Sequence, residues 1–291
     1  MKEDITDSEI RVIGGGSSQP ETPWPWRTVA VIAAVLTAIG LVWLLWPKAE
    51  QDPEPEQIGV FEQASAAVQP HPLREWLTSL DTLTVCATAT RDITINDILL
   101  RVYVPLHSTP HLEVGYGVAD HRQDNILFFQ AADVRADNQK IVGAFVLNGK
   151  PLSWGLSKRG YCAIIGGQVT VGVADNSPLF EQATEQNGYF FRQYPLVDNG
   201  MLVENELKNK SIRRALCDID GRIAVIESQT AESLHDFAQA LVDVGVSNAI
   251  YLVGSTAMGW YVDTDGNGTK RGLWDERVYQ NVSFIVWPRV R

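Results

Sequence analysis

Two stretches restrict the fold of this chain more than any others. "GYCAIIGGQVTVGVAD" sets Tyr161 to Ile165, a Gly166-Gly167 pair, then Val169 to Val173 in alternation, and "ALCDIDGRIAVIES" repeats the plan around Asp220-Gly221. Apolar runs of this length, split by two turn-forming residues, read as β-hairpins. Parallel neighbours would need a crossover of about a dozen residues or more, so consecutive close hairpins commit the sheet to antiparallel pairing.

Other runs fit the same plan. Asp97 to Leu106, His111 to Asp120, Asn125 to Asp133 and Lys140 to Gly149 are short apolar or alternating segments divided by Asp, Asn, Gly and Pro, and are expected to be strands. Val282 to Trp287 is expected to be the last. Helices are few. Leu73, Trp76, Leu77 and Leu80 share one side of a short helix over Pro72 to Leu80. Thr230 to Val244 is the strongest helix, with Ser228 or Thr230 as its cap, an apolar face of Leu234, Phe237, Ala238, Leu241 and Val242, and Gly245 as its stop. A strand, Ala249 to Val253, follows it. The fold class is α+β: an antiparallel-rich sheet domain with few helices, preceded by one transmembrane helix.

That last element is Thr28 to Trp46, an uninterrupted run without charge, long enough at about 1.5 Å per residue to cross a hydrocarbon core. Trp24 and Trp26 before it, with Trp43 and Trp46 at its end, resemble interfacial anchors. The polar lead and the lack of a small-x-small site before Lys48 argue against a cleaved signal peptide. Lys2, Arg11 and Arg27 outweigh the lone Lys48, which favours a cytoplasmic N-terminus. The expected layout is a cytoplasmic tail over 1–27, a span over 28–46, an acidic Pro-rich linker over 47–70 and a domain over 71–291. This describes a single-pass signal anchor of a bacterial inner membrane carrying a periplasmic domain.

A formal net charge of -11 and the absence of a basic block exclude a general grip on nucleic acid. Three cysteines do not make a disulfide framework; Cys162 and Cys217 either pair or stay as buried thiols beside Cys86. No Cys-x-x-Cys or His-Glu-x-x-His occurs, so no zinc site and no cofactor are expected. "DTDGNG", Asp263 to Gly268, begins like a calcium loop, but its twelfth place is Trp274, which favours a hairpin turn.

Chemistry-bearing candidates collect where strands end. After the strand Ala249 to Val253 come Gly254, Ser255 and Thr256, either a tight turn or a place where backbone approaches a ligand. Arg213 and Arg214 open an apolar strand in which one of them should point inward, as an internal ion pair or a phosphate clamp. Glu227 and Asp133 are carboxylates closing strands, or caps of the turns that follow. Asn148 either turns a hairpin or aims an amide at a sugar hydroxyl.

Five segments in order resemble the phosphodiester glycosidase domain family: "LNGKPLSWG" (Leu147 to Gly155), "PLVDNG" (Pro195 to Gly200), "RRALCDIDG" (Arg213 to Gly221), "SLHDFA" and "AIYLVGS" (Ala249 to Ser255). The resemblance spans roughly Asn125 to Trp287. It implies a hydrolase that cleaves the glycosidic bond of a sugar-1-phosphodiester, with a glycan or sugar phosphate as substrate. It assigns Arg213 to the family arginine, Asn148 to the early asparagine, and Leu252 to Ser255 to the family's Leu-Asp-Gly-Gly turn. On this reading Glu227 and Asp133 are the acid and base, Arg213 the catalytic cation, and Asn148, Arg214, Gly254, Ser255 and Thr256 substrate-binding. Two departures stand out: Val253 replaces the family aspartate and Ser255 the second glycine. The alternative is an inactive glycan- or phosphate-binding or envelope assembly module on the same scaffold.

Overall fold

A computed structural model describes residues 73–135, 137–206, 209–274 and 282–290, all within the compact unit Ser65–Arg291. The expected membrane span, tail and linker lie outside the described residues. Among the described residues no helix is long and apolar enough to cross a membrane.

The first strands are β1 (Thr88–Ile95), β2 (Ile98–Pro105), β3 (His111–Val114), β4 (Asn125–Gln130), β5 (Ala144–Leu147) and β6 (Lys150–Trp154). Then come β7 (Gly160–Ile165), β8 (Gln168–Val173), β9 (Tyr189–Gln193), β10 (Pro195–Asp198), β11 (Met201–Leu202) and β12 (Arg214–Ile219). The last are β13 (Arg222–Ser228), β14 (Asn248–Leu252), β15 (Gly259–Val262), β16 (Gly268–Arg271) and β17 (Ser283–Pro288). They form three sheets, ordered β1-β2-β13-β12-β14-β10-β11, β16-β15-β4-β17-β3 and β6-β5-β9-β7-β8.

Every pairing between these strands is antiparallel, as the hairpins require. The turn chemistry explains the pairs that are hairpins. Asn96-Asp97, Asn148-Gly149, Gly166-Gly167, Asn199-Gly200 and Asp220-Gly221 each hold both residues at positive φ. That geometry matches the right-handed twist of the flanking strands, and Asn, Asp and Gly tolerate it best. Asp263 to Asn267 likewise turns β15 into β16, with the Asp263 carboxylate accepting the N–H groups of Asp265 and Asn267 at 3.0 and 2.8 Å.

Among the described residues four α-helices accompany the sheets: α1 (Arg74–Ser79), α2 (Gly117–Asp120), α3 (Leu179–Glu185) and α4 (Leu234–Asp243). The segment His111 to Asp120, expected as one strand, instead ends its strand at Val114. Gly115 takes φ 98° there and the chain winds into α2. The α4 helix also starts later than expected. Its cap is Ser233, whose hydroxyl accepts the Asp236 N–H at 3.0 Å. Ser228 instead donates to the Thr230 carbonyl. Replacing Ser233 by Ala is expected to lower stability by about 1 kcal/mol, read as a shift of the urea midpoint.

Strand alternation divides the first sheet's two faces. Ala215, Cys217, Ala224, Ile226 and Ala249 pack against α4 through Phe237 and Leu241. Leu216, Val225, Ile250 and Leu252 point the other way and meet Phe129, Ile285, Phe145 and Phe191 of the other two sheets. Cys217 and Cys162 therefore belong to separate cores, and all three cysteines are free thiols. Smaller apolar layers cover the outer faces, under α2 on the second sheet and under α3 on the third.

Candidate functional site

The polar side chains at the rim of the central core fall into two groups, placed by register. Arg214, the first residue of β12, pairs across the ladder with Glu227 of β13 and with Leu252 of β14. Glu227 pairs with Arg101 of β2, which pairs with Asp92 of β1. Residues opposite one another share a face, so this row is charged from edge to interior, on the side that faces the second and third sheets.

At the centre of the row Glu227 is only 1% exposed. Arg214 grips its Oε2 through Nε at 2.8 Å and through Nη2. Arg271, reaching over from β16, grips Oε1 through Nε at 3.0 Å and through Nη2. The Tyr103 hydroxyl and the Gln229 amide each lie 3.4 Å from Oε1. Burial pushes the Glu227 carboxyl up, yet the two guanidinium groups outweigh it and hold the group below the usual carboxylate value. Arg214 also donates to the Val253 carbonyl at 2.8 Å and lies over the Phe129 ring. Arg101 closes the row with a two-pronged pair to Asp92, both contacts at 2.6 Å.

The second group lies just past the end of β4. Lys158, 4% exposed, is ion-paired to Asp133, which is 33% exposed. The ammonium also donates to Gln193 Oε1 at 2.8 Å and sits over the Tyr194 ring, 4.4 Å from its centre. Burial lowers the Lys158 ammonium, and Asp133 opposes that shift. Tyr194 is raised, first by burial and then by Asp133 and Tyr251.

Val253 joins the groups through its backbone. Its N–H donates to Gln130 at the end of β4, 3.2 Å away, and its carbonyl accepts from Arg214. The bend that follows is tied down: Gly254 N–H donates to the Tyr251 hydroxyl at 3.1 Å and Ser255 N–H to the Ile212 carbonyl at 2.7 Å. Gly254 is required because a Cβ there would lie well inside 3.0 Å of that same carbonyl. Ser255 (φ 54°) and Thr256 are exposed on the bend.

The structure thus brings Arg214 and Glu227 together beside the bend at Gly254, and holds Asp133 in the second group, three residues past the Gln130 carbonyl that Val253 meets. It does not bring Arg213 to either group. That guanidinium turns to backbone carbonyls, donating to Glu232 at 2.8 Å and to Asn209, and so fastens the loop ahead of β12. Of the two adjacent arginines, Arg214 forms the internal ion pair. Asn148 sits in the β5–β6 turn. From there, roughly 16 Å of extended chain, at about 3.3 Å per residue, leads back to Gly143 and the strand start near Asp133. No local pattern in the sequence singles out Lys158, Gln193, Tyr194 or Arg271. Lys158 follows an irregular stretch and Arg271 sits beside an exposed turn, so neither carries a periodic signal. Among the described residues no group of three or more His, Cys, Asp or Glu is placed to hold a metal ion.

No protein family matches the sequence, and no curated protein matches it. The fold is similar to solved structures. One is the catalytic domain of zebrafish N-acetylglucosamine-1-phosphodiester alpha-N-acetylglucosaminidase, described as auto-inhibited by its pro-peptide. It is 14% identical with a TM-score of 0.51, over 70% of this chain and 82% of that one. Another is a hypothetical protein from Synechocystis, 14% identical with a TM-score of 0.45, over 69% of this chain and 61% of that one. At 14% identity the zebrafish match shows a shared fold.

Proposed function

We propose that this domain hydrolyses the glycosidic bond of a sugar-1-phosphodiester, with Asp133 as the carboxylate that acts on the anomeric centre. The observation that carries this reading is the one-third-exposed Asp133 carboxylate beside the buried Lys158 ammonium, on a fold similar to a phosphodiester glycosidase domain. In the reaction a water oxygen bonds to the anomeric carbon, Asp133 takes the water's proton, and the bond to the phosphate oxygen breaks. The phosphomonoester departs with the electron pair. As a stable anion it needs little protonation, so one accessible carboxylate suffices where an ordinary glycosidase uses two.

Glu227 and Arg214 are assigned a supporting part. An acid–base group must exchange its proton with the reacting atoms, and Glu227 has its oxygens taken by two arginines. Its part is to fix Arg214 against the Val253 carbonyl, and so the bend at Gly254. The domain is further proposed to stand outside a bacterial inner membrane, held by the apolar run Thr28 to Trp46. A reporter fused after Glu56 is expected to be active only on the outer side, and activity confined to the cytoplasm reverses that topology.

A second reading, a module that binds sugar phosphates without cleaving them, is favoured by Val253 standing where the family carries aspartate. One experiment separates the two. With a methyl phosphodiester of N-acetylglucosamine-1-phosphate as substrate, Asp133→Asn is expected to lower kcat about a hundredfold while the fold persists. Equal turnover by wild type and variant removes Asp133 from the chemistry. Binding without turnover in the wild type establishes the second reading.

A further inference from the structure

The outer face of the third sheet carries a hollow of about 610 Å³ between the end of β6 and α3, within the range of small-ligand sites. Its walls are mainly apolar: Trp154, Leu156, Pro178 and Phe180. Trp154 and Leu156 are each 66% exposed, so both are free to pack on an incoming molecule. Two large apolar side chains left open at a concavity are the kind of surface that marks a binding site.

The lining also contains Arg192, a residue only 2% exposed. Its Nη1 donates to the carbonyls of Lys158 and Ala174 at 2.7 and 3.0 Å, and Nη2 to that of Asp175 at 2.8 Å. Its Nε is buried with no acceptor. Four other arginines of this chain show what that edge can meet. Arg101 and Arg135 each present Nε and Nη2 to one carboxylate, and Arg214 and Arg271 do so to Glu227. Arg192 has backbone partners for its far side and no acid for this one. A buried charged donor without a partner forgoes about 1–3 kcal/mol, so its retention calls for an explanation. Glu181, also in the lining, is exposed and solvated, which screens its repulsion of a bound anion.

We propose that this hollow binds an oxyanion, a carboxylate or a phosphate monoester, carried on an apolar ring. The head group takes the Nε edge of Arg192 and the ring lies against Trp154 and Phe180. This site involves neither Asp133 nor Glu227, so it stands or falls apart from the hydrolase reading.

The test is calorimetric titration of the full chain with benzoate, phenyl phosphate and neutral benzyl alcohol. At least one anion is expected to bind about tenfold more tightly than the alcohol, and which one does so identifies the head group. Trp154→Ala should weaken that anion about tenfold through loss of the aromatic wall. Glu181→Gln should tighten it two- to threefold, by about that factor for one screened like charge, and leave the alcohol unchanged. Both altered side chains are exposed, so neither change threatens folding. Equal binding of anion and alcohol, no binding of any probe below about 10 mM, or a Trp154→Ala protein that binds as the wild type does would each overturn the proposal.

Discussion

Glu227→Gln is expected to destabilise the domain by about 3–5 kcal/mol, the usual consequence of removing one partner from a buried ion pair. The side chain keeps its shape, so the loss comes from charge. Arg214, 1% exposed, would be left in the core facing an amide, and Arg271 would lose the acceptor that ties β16 to the first sheet. Acid should reproduce part of this effect in the wild type. Because folding depresses the Glu227 carboxyl, its contribution is fully present above its ordinary value of 4.5 and is lost as pH falls through the lowered folded value. Urea midpoints measured from neutral pH downward should therefore fall more steeply for wild type than for Glu227→Gln. Equal midpoints at neutral pH, or parallel acid limbs, would show that the carboxylate is not what holds Arg214 and Arg271.

The same residues show how far the sequence is legible. Turns are local, so Gly166-Gly167 and Asp220-Gly221 announce their hairpins, and the alternation around them places one core on each side of the sheet. The α4 face is equally plain, because Leu234, Phe237 and Leu241 recur at helical spacing. Ion-pair partners are not local. Arg214 and Glu227 are brought together by a register counted back from the Asp220-Gly221 turn, which can be followed in the sequence. Arg271 comes from a hairpin on another sheet, and Lys158 from an irregular segment that no periodicity locates. Strands β9, β15 and β16 are less legible for a related reason. "YFFRQ" and "GWYV" are short, buried on both faces and without alternation, and "GTKR" looks like part of a loop until its pairing with β15 is known. Sequence finds strand ends where chemistry collects; three-dimensional pairing decides which carboxylate is sealed and which stays open.

Gly254→Ala should lower stability by about 3 kcal/mol, and the reason is a single carbonyl. A Cβ at this position meets the Ile212 oxygen well inside 3.0 Å, and the obstacle is backbone that cannot rotate away. Relieving the clash means moving Ile212 off the Ser255 N–H, which it now accepts at 2.7 Å. Overpacking of this kind costs about 1–3 kcal/mol, and the lost hydrogen bond adds about 1. Gly221→Ala is the matching control. That glycine has φ 86° but open space around its would-be Cβ, so only the left-handed backbone is penalised, by about 1 kcal/mol. The two substitutions should also differ in reach. Ile212 leads directly into Arg213 and Arg214, so the Gly254 variant should disturb the Arg214 contact with Val253. The Gly221 variant should leave that contact intact. If both variants lost the same stability, the bend after β14 would be a turn like any other, with no part in positioning the charged row.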